Sequence, residues 1–258
     1  MQRVELFGLP FVDASGIDEI VDLILSDAEH GESRHPMVVT PNVDLLVQLL
    51  ETDDPSMLKF VAGSWCVLPD GQPIVWASRY LGAPLRCRLT GSDLFARLWP
   101  QLAIAARPVV VLAASDAIRE GLVAEHPRAR VLVAPVIDAS DRAQVRAVAH
   151  RCAEEVAASK ARIVILGLGH PKDVLIAQEL LAFLRMVTVD RPRTILCLGA
   201  SAERHLGLRR RAPRWAQRMG GEWLFRFAQE PRRLFHRYFI RDVAFLRIVK
   251  DANRARCR

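Results

Sequence analysis

The chain has 258 residues, of which 51% are apolar and 25% are charged, and this composition excludes a disordered chain, a collagen-like fibre and a coiled coil. The formal net charge is +7, and residues 199–258 alone hold 16 Lys and Arg against 5 Asp and Glu. This uneven charge predicts an anionic partner for the C-terminal quarter of the chain.

Membrane spans, signal peptides and cysteine pairs are all missing from the sequence. No apolar run approaches the roughly 18 residues of a membrane-spanning helix, and the first residues lack the apolar stretch of a signal peptide. The five cysteines form no C-x-x-C pair, which favours reduced thiols over a disulfide framework or a zinc site. We therefore expect a cytoplasmic protein.

Residues 1–198 alternate short apolar runs with helical stretches. Runs rich in Val, Ile and Leu, typical of strands buried on both faces, predict strands over 4–7, 37–40, 66–68, 86–89, 109–113, 131–134, 162–166 and 194–198. Between the strands, the pattern predicts helices over 17–28, 42–50, 92–106, 116–125, 140–158 and 172–186. This alternation favours an α/β fold with a largely parallel sheet.

After about residue 200 the strand pattern stops, and residues 209–258 are predicted to be helical and rich in Arg. A helix over 232–250 would carry on one side Leu234, Phe235, Tyr238, Phe239, Phe245, Leu246 and Val249. Its other side would carry Arg232, Arg233, His236, Arg237, Arg241, Arg247 and Lys250. Such a helix is typical of a membrane interface, and the alternative is that its apolar side packs on the α/β core.

The first candidate site is Thr40-Pro41-Asn42, which lies between a predicted strand and a predicted helix. Ligands of open α/β sheets bind beyond the carboxyl ends of the strands, where a Thr hydroxyl and an Asn amide could bond a sugar or a nucleotide. The alternative is that Asn42 only caps the helix.

Two further candidates follow predicted strands. Asp70-Gly71 places a carboxylate on a tight turn, where it could act as a general base, although Asp-Gly is also a common turn dipeptide. In Thr90-Gly91-Ser92-Asp93, the glycine lets backbone approach a ligand, and the helix N-terminus can bind an anion. Asp93 could equally be an ordinary first-turn residue of that helix.

A fourth candidate is the turn from Gly167 to Lys172, in which a Gly-x-Gly sequence leads into a helix. Because a cation in the first turn opposes the helix dipole, Lys172 could serve a ligand phosphate. The motif is neither a Walker A sequence nor a complete dinucleotide fingerprint. The sequence also lacks a D-x-D triplet and an H-E-x-x-H motif, so we expect no required metal and no cofactor.

In this order, the motifs resemble the WecG/TagA/CpsF family of bacterial glycosyltransferases over roughly residues 5–240. The C-terminal part carries the most specific resemblance, in Arg211-Ala212-Pro213-Arg214-Trp215, Glu222-Trp223-Leu224-Phe225-Arg226, Glu230-Pro231-Arg232-Arg233-Leu234 and Arg237-Tyr238. The family implies a Rossmann-like α/β core over 1–200, and a basic, helical appendage over 201–258 that meets the membrane and completes the active site.

The resemblance also implies an activity and its partners. Members transfer a sugar, typically of the N-acetylmannosamine type, from a UDP-sugar to a polyprenyl-diphosphate-linked sugar, with inversion and without a metal. This would place the chain on the inner face of the cytoplasmic membrane, against an anionic lipid surface, in the synthesis of a cell-surface polysaccharide. The resemblance leaves a homo-oligomer open and gives no role to nucleic acid.

Several residues match family positions. Asp70 matches the general base, with Thr40 and Asn42 near the donor sugar. Substrate-binding positions are matched by Gly71, Gly91, Ser92, Gly167, Gly169, Lys172, Arg211, Arg226, Arg233 and Arg237. Asp173 is a departure, because it stands where the family usually has Gln. A carboxylate beside a diphosphate is unfavourable unless it faces the sugar or a cation, so Asp173 predicts an altered donor or acceptor.

Two other classes of protein compete with this interpretation. One is a non-catalytic nucleotide- or nucleic-acid-binding module with a basic tail, although the tail interleaves Arg with apolar residues and lacks a nucleic-acid motif. The other is a dinucleotide-dependent oxidoreductase, which the incomplete glycine fingerprint disfavours.

Overall fold

A computed structural model of the chain describes residues 2–30, 35–52, 55–186, 193–208 and 242–256. The candidate arginines Arg211, Arg226, Arg233 and Arg237, and most of the predicted amphipathic helix, lie outside these residues. Among the helices in these ranges, none has both the length and the apolar character that crossing a membrane requires.

The described residues form strands and helices in alternation. The strands are β1 (Arg3–Leu6), β2 (Leu9–Val12), β3 (Met37–Val39), β4 (Cys66–Val67), β5 (Val109–Ala113), β6 (Arg130–Val133), β7 (Ile163–Gly167) and β8 (Thr194–Cys197). The helices are α1 (Ile17–His30), α2 (Val43–Glu51), α3 (Ser56–Ala62), α4 (Gln72–Tyr80), α5 (Gly91–Ile104), α6 (Asp116–Glu125), α7 (Arg142–Ala158), α8 (Lys172–Met186), α9 (Ser201–His205) and α10 (Asp242–Arg256).

The strands form one sheet in the order β1-β2-β4-β3-β8-β7-β5-β6. All neighbouring pairs are parallel except the hairpin of β1 and β2 at one edge. Parallel strands need a covered crossover between them, and the helices supply it. The expected α/β fold with a largely parallel sheet is therefore confirmed.

Helices cover both faces of the sheet, and each face has its own apolar cluster. Because side chains alternate along a strand, Met37 and Val39 of β3 join one cluster, whereas Val38 joins the other. The first cluster includes residues of α2, α3, α4, α7, α8 and α10, and the second includes residues of α1, α5, α6 and α9. Burial on both faces explains why the central strands are continuous apolar runs.

Seven of the eight predicted strands are confirmed to within one residue at each end. The prediction of a strand over 86–89 is wrong, because the Asp13 carboxylate accepts hydrogen bonds from the backbone amide of Arg86 (2.8 Å) and from its Nε (3.0 Å). The segment is therefore held by the Asp13 side chain rather than by backbone hydrogen bonds to a neighbouring strand. Strand β2 was not predicted, because Pro10 argues against a strand there. The short helices α3 and α4 were not predicted either.

Both described parts of the segment predicted as an appendage pack on the α/β core. Helix α9 places Ala202 in the second cluster. Helix α10 packs against α2, and its Phe245, which is only 4% exposed, meets the Phe7 ring edge-on with the ring centroids 5.6 Å apart. The alternative of a helix packed on the core therefore holds for 242–256. The domain boundary at residue 200 stays a prediction.

Candidate active site

Four neighbouring strands, β4, β3, β8 and β7, end side by side at one edge of the sheet, here called the carboxyl edge. Asp70 follows β4, Thr40 follows β3, Gly199 follows β8, and Gly167 ends β7. The motifs that the sequence singled out at strand ends are therefore brought to one edge, because parallel strands all run in one direction. This edge is where open α/β sheets bind their ligands.

Asp70 is held at the carboxyl edge by contacts with two neighbouring segments. Its amide donates to the carbonyl oxygen of Pro41 (3.0 Å), and its Oδ2 accepts a hydrogen bond from the amide of Gly91 (3.4 Å). The Asp70 side chain is half-buried, and Gly71 has a φ of +150°, a backbone conformation that favours glycine. The turn thus presents a carboxylate that is fixed in place and reachable from solvent.

Gly91 is the point at which three segments of the carboxyl edge meet. A Cβ atom at this position would lie 3.1 Å from Thr40 Oγ1, 3.2 Å from Ser201 Oγ and 3.3 Å from the carbonyl oxygen of Leu198. A side chain here would therefore push neighbouring groups apart. Thr40 Oγ1 donates a hydrogen bond to the Cys197 carbonyl (3.3 Å). Thr40 and Asp70 thus both lie against the same residue, Gly91.

The polar residues that begin α2 and α5 serve as helix caps. Asn42 Oδ1 accepts from the amide of Leu45 (3.0 Å), which is the capping alternative that the sequence left open. Thr90 caps α5 by accepting from the Asp93 amide, and its hydroxyl donates to the Asp93 carboxylate. Asp93 is thus an ordinary first-turn residue that also closes the cap. A role of Asn42 beside the donor sugar stays a prediction.

The turns after β7 and β8 are built on glycines and touch one another. Gly169 has a φ of +95° and Gly199 a φ of +57°, and a Cβ on Gly199 would lie 3.6 Å from the Cα of Gly169. A Cβ on Gly167 would lie 3.1 Å from the Leu112 carbonyl oxygen of β5. These positions let two backbone segments of the protein approach closely. The expectation that they let backbone approach a nucleotide stays a prediction.

Asp173, a predicted substrate contact, lies inside the protein. Its side chain is fully buried, and its carboxylate accepts hydrogen bonds from the amides of Leu168 (2.8 Å), Gly169 (3.2 Å) and Gly199 (2.8 Å). Burial raises the pKa of Asp173 to about 7, although the three amides act in the opposite direction. The carboxylate thus joins the β7 and β8 turns.

The raised pKa of Asp173 predicts a specific dependence of stability on pH. The pKa of Asp173 is about 7 in the folded protein, whereas the ordinary value for an Asp side chain is 3.8. Between pH 3.8 and pH 7 the folded protein therefore binds more protons than the unfolded chain. The stability that protonated Asp173 contributes is therefore full below pH 3.8. It is lost as the pH rises from there through 7, by at most about 1.4 kcal/mol per pH unit. We expect Asp173→Asn to gain stability relative to the unaltered protein from pH 5 to 7.5, measured by urea unfolding. A difference between the two proteins that is independent of pH would contradict the prediction.

The sequence model of a known family, described as "Glycosyl transferase WecG/TagA/CpsF family", matches residues 4–257. The chain belongs to this family of glycosyltransferases. Its relatives include an N-acetylglucosaminyldiphosphoundecaprenol N-acetyl-beta-D-mannosaminyltransferase of Bacillus spizizenii, 24% identical over 90% of this chain and 86% of the relative. A protein of the same description from Bacillus subtilis is 23% identical over 90% of this chain and 85% of the relative.

Three cations lie at the carboxyl edge. Arg204 Nη1 donates to Ser92 Oγ (2.6 Å), which brings a guanidinium to the start of α5. Arg88 lies 4.0 Å from Asp93, and its side chain is largely buried. Sequence reasoning missed both arginines, because a single Arg on a helix or a loop forms no pattern. Lys172 lies half-buried in the first turn of α8.

No group of three or more His, Cys, Asp or Glu side chains within the described ranges is arranged to hold a metal ion. An anionic ligand at this edge would meet the cations Arg88, Arg204 and Lys172. The independence from metal stays a prediction.

Proposed function

We propose that this glycosyltransferase moves a sugar from a UDP-sugar to a polyprenyl-diphosphate-linked sugar, with inversion at the anomeric carbon. Both relatives are described as transferases that act on N-acetylglucosaminyldiphosphoundecaprenol, which supports the acceptor class. The observation that carries the proposal is the Asp70 carboxylate, held beside Thr40 and Gly91 at the carboxyl edge. The proposed donor is of the N-acetylmannosamine type, as the relatives' names indicate.

In the proposed reaction, Asp70 acts as the general base. Its carboxylate takes the proton of the acceptor hydroxyl while that oxygen attacks the anomeric carbon. The bond from the anomeric carbon to the diphosphate oxygen breaks on the opposite face, and UDP leaves with the electron pair. A single displacement by the acceptor hydroxyl inverts the anomeric centre. The protein therefore needs one carboxylate, as the base, and no second carboxyl group that acts as a nucleophile or an acid.

The leaving diphosphate carries the charge that develops in the transition state. Preorganised donors aimed at that charge supply much of the catalysis in reactions of this kind. We assign this role to Arg88 and Arg204 among the described residues, because both guanidinium groups lie at the start of α5. Arg211, Arg226, Arg233 and Arg237 are proposed as further diphosphate contacts on the grounds of the family resemblance.

A panel of UDP-sugars offered with a polyprenyl-diphosphate-linked N-acetylglucosamine tests the proposal, with products identified by mass spectrometry and their anomeric configuration by NMR. We expect one N-acetylated hexosamine donor to be transferred with inversion. Binding of UDP without transfer from any donor in the panel would favour a non-catalytic module. Binding of NAD in place of UDP would favour an oxidoreductase.

We further propose that the enzyme meets the inner face of an anionic membrane. Trp76 and Tyr80 lie on one side of α4 and are 51% and 63% exposed. Asn253 of α10 donates a hydrogen bond to the Tyr80 hydroxyl (3.4 Å), and Leu246, 64% exposed, lies on the same side of α10 as Asn253. Aromatic side chains with nearby cations are typical of membrane interfaces, and exposed cations on these helices are Arg79, Arg247, Lys250 and Arg254.

Exchange of the two aromatic residues on α4 for Ser tests this surface. We expect the double variant Trp76→Ser, Tyr80→Ser to bind vesicles that contain anionic lipid at least about tenfold more weakly, because two interfacial rings are lost. Co-sedimentation measures the binding. Ile104→Ser is the matched control, since Ile104 is an exposed apolar residue on a different helix. Equal loss of binding in the control and the double variant would refute the assignment.

A further inference from the structure

The Asp173 carboxylate links the turns that follow two paired strands, β7 and β8. Oδ1 accepts from the amides of Leu168 and Gly169 in the turn between β7 and α8, and Oδ2 accepts from the amide of Gly199 in the turn between β8 and α9. The side chain itself belongs to the first turn of α8. One group therefore ties together two strand ends and the start of a helix.

This arrangement leaves the side chain no contact with a ligand. Asp173 has 0% of its surface exposed, and its two oxygens already accept three amide hydrogen bonds. Burying a carboxylate is costly unless it is well bonded. Buried turn amides are costly in the same way when they lack an acceptor. The three hydrogen bonds satisfy the turn amides and reduce the cost of the buried charge, although burial still raises the pKa of Asp173 to about 7. They hold only while the two turns keep their present separation.

A short chain of contacts leads from Asp173 to the proposed base. Leu198 and Ser201 flank the Gly199 turn, and Ser201 Oγ donates to the Leu198 carbonyl. That carbonyl and that hydroxyl both lie beside Gly91. The Gly91 amide in turn donates to Asp70 Oδ2. A shift of the Gly199 turn would thus change the position of the segment against which Asp70 rests.

We propose that Asp173 is a positioning residue whose carboxylate fixes the β7–α8 and β8–α9 turns at the separation that the bound nucleotide diphosphate requires, without touching the ligand. The identity of this ligand rests on the proposed function. The role replaces the prediction that Asp173 contacts the substrate. It also explains how a carboxylate can stand close to a diphosphate site, because its charge is turned inward onto backbone amides.

The test compares the unaltered protein with Asp173→Asn and Asp173→Ala at pH 8, where the carboxylate is ionised. Asn keeps the shape but points an amino group at one of the turn amides. Ser159→Ala is the matched control, because Ser159 is also buried and its hydroxyl accepts from the Ala161 amide at the other end of β7. Amide hydrogen exchange at residues 168, 169 and 199, UDP affinity by calorimetry, and kinetics with the UDP-sugar are measured for each protein.

We expect Asp173→Ala to exchange all three amides faster, and Asp173→Asn to exchange faster the amide or amides that its amino group faces. Both variants should bind UDP about tenfold more weakly, the loss that follows when a buried, charge-assisted hydrogen bond is broken. The KM for the UDP-sugar should rise by the same factor while kcat changes less than about threefold. Ser159→Ala should lose stability without either effect.

Unchanged UDP affinity in Asp173→Asn, or an equal loss in Ser159→Ala, would overturn the proposal. Unchanged exchange at residues 168, 169 and 199 would overturn it too, and this measurement needs no ligand. Failure of the unaltered protein to bind UDP would instead refute the proposed function. The exchange data would then still decide whether Asp173 fixes the two turns. If Asp173→Ala does not fold, Asp173→Asn alone decides the outcome.

Discussion

Asp70→Asn is expected to lower kcat by about 10²–10⁴-fold, the usual contribution of a general base, while the KM for the UDP-sugar stays within about twofold. Asn has the same shape as Asp and keeps an oxygen that can accept from the Gly91 amide, so the fold should be retained. The loss should therefore fall on the chemical step alone. Steady-state kinetics with a lipid-linked acceptor and a thermal melt of the variant check both statements.

Asp44→Asn is the matched control for this experiment. Asp44 lies in the first turn of α2, only two residues after Asn42, and is also half-buried. It has no part in the proposed chemistry, so kcat should stay within about twofold. Near-normal turnover by Asp70→Asn would remove Asp70 as the base. A large loss of UDP affinity in Asp70→Asn would instead make Asp70 a binding residue.

Phe245→Ala is expected to lower the free energy of unfolding by about 3–5 kcal/mol, the usual cost of removing a fully packed Phe. Phe245 is buried in the first apolar cluster and contacts the Phe7 ring. Its loss would leave a cavity between α10 and the core. Urea unfolding of the two proteins measures the difference.

The neighbouring residue supplies the control. Leu246 lies on the same helix but faces solvent, so Leu246→Ala should change the free energy of unfolding by no more than about 0.5 kcal/mol. Equal, small effects of both substitutions would mean that α10 does not pack on the core in solution. The prediction thus separates a helix that belongs to the core from one that only meets a membrane.

The sheet could be predicted well because its strands are buried on both faces. The runs 109–113 and 163–167 are apolar throughout, and such runs leave few alternatives. The segment 86–89 is not such a run, because it contains two arginines. Asp13, which lies 73 residues earlier in the chain, accepts a hydrogen bond from the Arg86 amide. A long-range contact of this kind has no local signature, so the strand prediction failed there.

The location of the candidate site at the carboxyl edge could be predicted from the sequence, but the role of each residue there could not. Strand-to-helix order alone brings Thr40, Asp70 and Gly167 to one edge. Asn42 fits both a ligand contact and a helix cap, and the structure shows the cap. The inward orientation of Asp173 depends on the amide of Gly199, 26 residues away, which no motif around Asp173 reveals.

Helix α4 begins directly after the Asp70-Gly71 turn, and it carries Trp76 and Tyr80 on its exposed side. At a rise of 1.5 Å per residue, the nine residues of the helix cover about 13.5 Å. A lipid headgroup layer is itself about 5–8 Å thick. A bilayer bound at these two rings would therefore hold the proposed base, Asp70, within reach of a diphosphate at the lipid surface. The isoprenoid tail of the proposed acceptor would then not need to leave the hydrocarbon for transfer to occur.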